Sequence, residues 1–209
     1  MRILSIGNSF SQDAQRYLHR LAKQDGTVLK TVNLYIGGCS LSRHYRNMLS
    51  EERVYTLEMN GESTGFKVSL NDALLNRNWD VVTIQQVSSK SPYYETYQPY
   101  LDKIVECVRE CAPKAKIAIH QTWAYEQGSH RLNNELGYKN HVDMYNVNID
   151  DSTLEFASSS FIPSDGIELL EAYYYNYLDQ KVDLSKNDKY GVYNSIKSTA
   201  AKDALNGGI

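Results

Sequence analysis

Residues 1–11 read Met1-Arg2-Ile3-Leu4-Ser5-Ile6-Gly7-Asn8-Ser9-Phe10-Ser11. Ile3-Leu4-Ser5-Ile6 is a short apolar run of the kind that forms a buried strand, and Gly7 breaks it. After the polar run Ser9 to Asp13, the apolar residues Tyr17, Leu18, Leu21 and Ala22 recur at helical spacing. The opening therefore predicts strand, loop and helix. The same unit returns downstream. Val28 to Tyr35 is rich in β-formers and ends at Gly37-Gly38, after which Leu41, Tyr45, Met48 and Leu49 fall on one helical face. Trp79 to Ile84 is a third buried strand, followed by a polar loop and a helix over about Tyr97 to Cys111, and Lys116 to His120 is a fourth. Val54 to Met59 and Gly65 to Ser69 flank Asn60-Gly61, a strong hairpin signal, which inserts a small and peripheral β-excursion.

Strands alternating with helices predict a mainly parallel α/β sheet covered on both faces. In such sheets ligands bind beyond the carboxyl ends of the strands. That rule nominates four loops, beginning at Gly7, Gly37, Gln85 and Gln121, before any motif is considered.

The chain has 209 residues, 22 Lys+Arg and 25 Asp+Glu, and so a formal charge of −3; 42% of its residues are hydrophobic and 22% charged. This length supports one full core, so a single domain over 1–209 is expected. The near-neutral balance gives no basic field to gather nucleic acid. Cys39, Cys107 and Cys111 form no C-x-x-C pair, which fits a reducing compartment and supports no metal site. The apolar start is about half the length of a secretory core segment and no stretch approaches the roughly 18 residues of a spanning helix. A cytoplasmic location without membrane attachment is the expectation. The chain also carries 17 Tyr against 4 Phe. Tyrosines near Pro92-Tyr93-Tyr94, Tyr97 and Tyr100 could stack on sugar rings, and the cluster Tyr173-Tyr174-Tyr175 with Tyr177 nominates a homodimer contact.

Within the nominated loops, a serine directly after a buried strand and before a helix has its hydroxyl and amide held where negative charge is stabilised, which suits a nucleophile for an ester carbonyl. Capping by Ser9 or Ser11 explains the same residues. Gly37-Gly38 offers amides that a ligand can approach closely, or simply a tight turn. Gln85-Gln86 sets amide side chains at a strand end, where an N–H can donate to a developing oxyanion. Gly7-Asn8-Ser9 is not a G-x-G-x-x-G fingerprint and no phosphate-binding loop is present, so nucleotide binding is disfavoured.

Taken together, I-G-N-S-F-S, Y-I-G-G-C-S-L-x-x-H, W-D-V-V-T-I-Q-Q-x-S and H-Q-T-W-A-Y resemble the SGNH/GDSL hydrolase superfamily, and within it a bacterial branch of uncharacterised esterase-like proteins. The likeness covers about residues 1–144; the remainder is an atypical tail. It implies a flavodoxin-like three-layer α/β/α sandwich with a mainly parallel sheet and a small inserted β-hairpin. It also implies hydrolysis of an ester, often an acetyl group on a carbohydrate, with no cofactor. By position, Ser9 would be the nucleophile, and the amides of Ser9 and Gly38 with the Gln86 side chain would form the oxyanion hole. Ser88 is the alternative to Gln86 in a shifted register. Asn8, His44, Ser88, Trp123 and Tyr125 fall in segments that would line the substrate pocket, although packing explains Trp123 and a surface position explains His44 equally well.

The chain departs from the superfamily at the base. A serine nucleophile needs a proton acceptor, usually supplied by Asp-x-x-His near the C-terminus, and this sequence contains no such motif. Asp183-Leu184-Ser185-Lys186 has the spacing, with Asp183 as the carboxylate and Lys186 at the histidine place. A lysine with a pKa near ~10.4 is protonated at neutral pH and accepts nothing. Three readings follow: an impaired esterase fold that binds an acylated sugar, an enzyme whose base is His120 or His44, or an altered C-terminal segment. In that segment Ser164 is expected to cap a helix through Ile167, Leu170 and Ala172 to Leu178, and Val192 to Leu205 to form a last helix.

Overall fold

The computed structural model describes residues 1–148 and 167–169. The elements run β1 (Arg2–Gly7), α1 (Ser9–Gln15), α2 (Leu18–Gln24), β2 (Lys30–Tyr35), α3 (Leu41–Ser50), β3 (Tyr55–Met59), β4 (Glu62–Val68), α4 (Leu70–Leu75), β5 (Val81–Ile84), α5 (Tyr100–Cys111), β6 (Lys116–Ile119), α6 (His141–Asn148) and β7 (Ile167–Leu169). They build one seven-stranded sheet in the order β4-β3-β2-β1-β5-β6-β7. Every pairing from β2 through β7 is parallel, and the β3–β4 hairpin joins β2 antiparallel at the edge. This is the α/β architecture the strand–helix alternation predicts.

Period two along the strands separates two chemically different faces. Leu4, Ile6, Val32, Leu34, Val82, Ile84, Ile117 and Ile119 point to one side, where Leu41 of α3, Leu70 and Leu74 of α4 and Leu101, Ile104, Val105 and Val108 of α5 complete the main core. Ile3, Val81 and Ala118 point to the other, against Leu18 and Ala22 of α2 and Leu29. Toward the strand ends this second face turns polar. Ser5, Asn33 and Thr83 are buried there with Ser11 and Gln15 of α1. Thr83 Oγ1 donates to Ser5 Oγ at 2.7 Å, and the Gln15 amide also donates to Ser5 Oγ and reaches Val32 O at 3.4 Å. Burying these groups is tolerable because each finds a partner.

Several elements differ from the sequence reading, each for a physical reason. The first helix is two, because the chain breaks at Arg16–Tyr17 between α1 and α2. On α3 Leu41 is buried and Tyr45 and Met48 pack partly buried against the core as the spacing predicts, but Leu49 is 63% exposed and the buried position beside them is taken by His44. The hairpin is not peripheral. Asn60 and Gly61 both have positive φ (54° and 85°), the conformation of a two-residue type I′ turn. A Cβ at Gly61 would lie 2.4 Å from the Arg16 carbonyl oxygen, so the turn packs tightly on the end of α1. Residues Ile167–Leu169, expected within a helix, extend the sheet parallel to β6 as β7, completing hydrogen bonds that the β6 edge would otherwise leave open. The remaining tail expectations, Asp183, Lys186, the tyrosine cluster and the final helix, lie outside the described residues. No helix among the described residues is long and apolar enough to cross a membrane.

Candidate active site

The carboxyl ends of β1, β2, β5 and β6 lie side by side, with Ile6 level with Leu34 and Ile84, and Ile84 with Ile119. The loops leaving them are bound to one another. At the first, Gly7 is required for room: a Cβ there would meet Ser11 Oγ at 2.3 Å and Gln85 Oε1 at 2.8 Å. Asn8 then turns the chain into α1. Its side-chain oxygen accepts from Phe10 N at 3.1 Å, its side-chain nitrogen donates to Cys39 O at 3.1 Å, and its backbone N–H reaches Gln85 Oε1 at 3.4 Å. Asn8 is thus a helix cap and a bridge to two neighbouring loops at once. Ser9 follows on the exposed side of that turn. Among the described residues nothing hydrogen-bonds to its hydroxyl, and no acceptor takes its amide hydrogen.

The second loop turns at Ile36–Cys39, closed by Cys39 N donating to Ile36 O at 3.2 Å. Gly38 has φ +59°, a left-handed conformation that favours glycine, and is exposed. Its amide hydrogen also has no acceptor among the described residues. Because Asn8 grips Cys39, the turn that carries Ser9 is tied to the turn that carries Gly38.

Gln86 belongs elsewhere than its expected place. It is 2% exposed, its Oε1 accepts from Leu41 N at 3.1 Å and Val87 N at 2.9 Å, and its Nε2 donates to Thr96 O at 3.0 Å and Thr96 Oγ1 at 3.1 Å. Both amide hydrogens are committed, so Gln86 clamps the second and third loops together and has none left for an oxyanion. Gln85 holds the Asn8–Ser9 turn by accepting from the Asn8 backbone N–H. Ser88, 5% exposed, shares a 2.6 Å hydrogen bond with the Tyr125 hydroxyl and so ties the third loop to the fourth. Trp123 is half-buried, with its ring centroid 3.8 Å from that of Phe10, the residue after Ser9. Phe10 was not singled out by sequence reasoning, yet it is what brings the fourth loop against the first.

His44 lies neither in the mouth nor on the surface. It is fully buried, with Nδ1 3.0 Å from the Tyr55 hydroxyl and 3.5 Å from Cys39 Sγ, and its ring stacks parallel on Tyr55 at 5.6 Å. Burial, with Arg43 nearby, pushes its pKa down to about 3, and burial pushes the Cys39 thiol up to about 12. This is a neutral, packed cluster beneath the glycine turn, so His44 cannot contact substrate there. His120 sits just past β6, its pKa lowered by burial to about 4 and its Nδ1 buried with no partner among the described residues. Asp183 and Lys186 lie outside the described residues.

The chain matches the family described as a domain of unknown function, DUF4886, over residues 2–167. It belongs to that family. A crystal structure of a DUF4886 protein from Bacteroides uniformis is 27% identical, with a TM-score of 0.69 over 99% of this chain and 83% of that one. A protein from Slackia heliotrinireducens, provisionally called an SGNH hydrolase, is 21% identical, with a TM-score of 0.57 over 98% of both chains. No curated protein matches the chain. The DUF4886 chain described here therefore has the SGNH/GDSL-type α/β fold.

Proposed function

We propose that this protein is a serine ester hydrolase in which Ser9 attacks the acyl carbonyl, with an acetylated carbohydrate or a related small ester as substrate. The observation that carries the reading is the exposed Ser9 hydroxyl on a turn braced by Asn8 against the Gly38 turn, where neither the Ser9 nor the Gly38 amide has an acceptor among the described residues. The Ser9 oxygen forms a bond to the carbonyl carbon, the carbonyl oxygen becomes an oxyanion that accepts hydrogen bonds from those two N–H groups, and the ester C–O bond then breaks. The alcohol leaves with the serine proton, and water releases the acid from the acyl-serine. Gln86 is not needed as a donor. Trp123 and Phe10 provide an aromatic wall on which a sugar ring can stack. No cofactor is invoked.

A second reading is favoured by one specific feature: among the described residues no basic group meets the Ser9 hydroxyl, and His44 and His120 are both buried and neutral. On that reading the pocket holds an acyl ester and turns it over slowly or not at all. Even without a base, an oxyanion hole and binding can leave a residual rate of ~10³–10⁴ over water. Turnover of p-nitrophenyl acetate by wild type and Ser9→Ala, beside a calorimetric titration with acetylated oligosaccharides, separates the two. The hydrolase reading expects turnover abolished by Ser9→Ala; binding without product supports the second; neither turnover nor heat contradicts both.

A further inference from the structure

The sheet carries one buried carboxylate that the proposed chemistry does not use. Glu58, in the middle of β3, is 5% exposed and has no Lys or Arg partner among the described residues. Its charge is held by neutral amides alone. Asn33 Nδ2, from the facing residue of β2, donates to one carboxylate oxygen at 2.8 Å, and Gln12 Nε2 from α1 donates to the other. A buried carboxyl group is costly unless its oxygens find hydrogen-bond donors, and here both do.

Both arms lead to the same place. Asn33 Oδ1 accepts from Ser11 Oγ at 2.8 Å, and Ser11 Oγ also lies 2.8 Å from the Asn8 carbonyl oxygen. Gln12 donates its backbone N–H to that same carbonyl at 3.1 Å. Asn8 is the residue whose side chain caps α1 and grips Cys39, and Ser9 is next in the chain. We propose that Glu58 is a positioning residue that fixes the Asn8–Ser9 turn through Asn33–Ser11 on one side and Gln12 on the other. A carboxylate accepts from both neighbours as they stand, whereas an amide in its place would turn one of its own donors against an N–H unless the Gln12 amide rotated. The β3–β4 hairpin thereby acquires a role in the site although it forms none of its mouth. The inference rests on Ser9 as the nucleophile for its catalytic consequence, but the positioning itself can be read separately.

The test compares full-length wild type, Glu58→Gln and Gln12→Leu by amide hydrogen exchange at Phe10 and Gln12 and by the rate at which a fluorophosphonate labels Ser9. Glu58→Gln is expected to speed exchange at those two amides about tenfold, with β1 and β5 unchanged, and to slow labelling by a similar factor; Gln12→Leu, which removes one arm, gives about threefold on each. Combining Gln12→Glu with Glu58→Gln lets the amide introduced on β3 donate to the carboxylate introduced on α1 while still accepting from Asn33, and is expected to restore both readouts. If wild type takes no label but exchange responds as stated, the nucleophile reading falls and the positioning role stands. Wild-type exchange and labelling in folded Glu58→Gln overturn the proposal. Should Glu58→Gln fail to fold, unchanged exchange in Gln12→Leu overturns it in the same way.

Discussion

The side-chain nitrogen of Asn8 donates to the carbonyl oxygen of Cys39 across 3.1 Å, joining the turn after β1 to the turn after β2. That bond ties the turn that carries Ser9 to the turn that carries Gly38, residues far apart in the chain. Asn8→Ala removes this bond and the cap on Phe10 N together. A loss of about 2 kcal/mol in unfolding free energy is expected from a buried hydrogen bond plus a helix cap. Ester turnover per folded molecule should fall by about tenfold or more, since the glycine turn is released from the serine. Urea denaturation alongside a turnover assay measures both.

Gly7→Ala tests why the chain can place a helix so tightly against its first strand. The added Cβ would lie 2.3 Å from Ser11 Oγ and 2.8 Å from Gln85 Oε1, inside a packed polar layer. Overpacking of this kind costs about 1–3 kcal/mol. Thermal unfolding should show the loss, and a variant as stable as wild type would mean that the layer relaxes freely.

For Gln86 the two candidate roles separate cleanly. As a clamp between Leu41 N and Thr96, its replacement by Ala should destabilise the fold by about 2–3 kcal/mol through the unpaired groups left behind, with turnover per folded molecule within about fivefold of wild type. An oxyanion donor would instead lose about 10²–10³ in kcat. Unfolding free energy and kcat, measured on the same preparation, decide between them.

The buried histidines predict a pH dependence of stability. The pKa of His44 is lowered from 6.5 to about 3 and that of His120 from 6.5 to about 4, in both cases by burial first. Below pH 6.5 the unfolded chain therefore binds protons that the folded chain refuses. Stability is full above about pH 6.5 and declines as pH falls from there toward 4, with His44 continuing toward 3. Each histidine contributes at most about 1.4 kcal/mol per pH unit in that window. Denaturation midpoints should drop between about pH 6.5 and about pH 5, and His44→Phe should make the drop shallower.

Trp123→Ala probes the aromatic wall. Removing the ring that lies 3.8 Å from Phe10 should raise KM for esters with a sugar or aryl ring by about three- to tenfold, the range expected of an aromatic stacking contact. A small acetyl ester, which does not reach the wall, should keep its KM. Equal effects on both substrates would make Trp123 a packing residue only.

Much of this architecture was legible in the chain because local chemistry and global fold agree. Ile3-Leu4-Ser5-Ile6 reads as a buried strand and forms one, and Asn60-Gly61 turns the hairpin it signals. The four loops at the strand ends could be nominated from alternation alone. What could not be read was direction. Gln85 and Gln86 are adjacent and chemically alike, and only the pleat decides that one faces Asn8 and the other Leu41. His44 is polar, so its place beneath the glycine turn depended on Tyr55, which arrives from the hairpin. Glu58 carries no signal in the sequence, and its burial depends on Asn33 and Gln12 enclosing it. In each case the missing information was a partner distant in sequence.

The central claim is that Ser9 is an exposed nucleophile on the braced turn. Intact-mass measurement after exposure to a fluorophosphonate tests it most directly. One adduct per chain is predicted, mapped to the peptide bearing Ser9 and absent from Ser9→Ala. A folded wild-type protein that stays unmodified, or one whose adduct survives Ser9→Ala, would contradict the account.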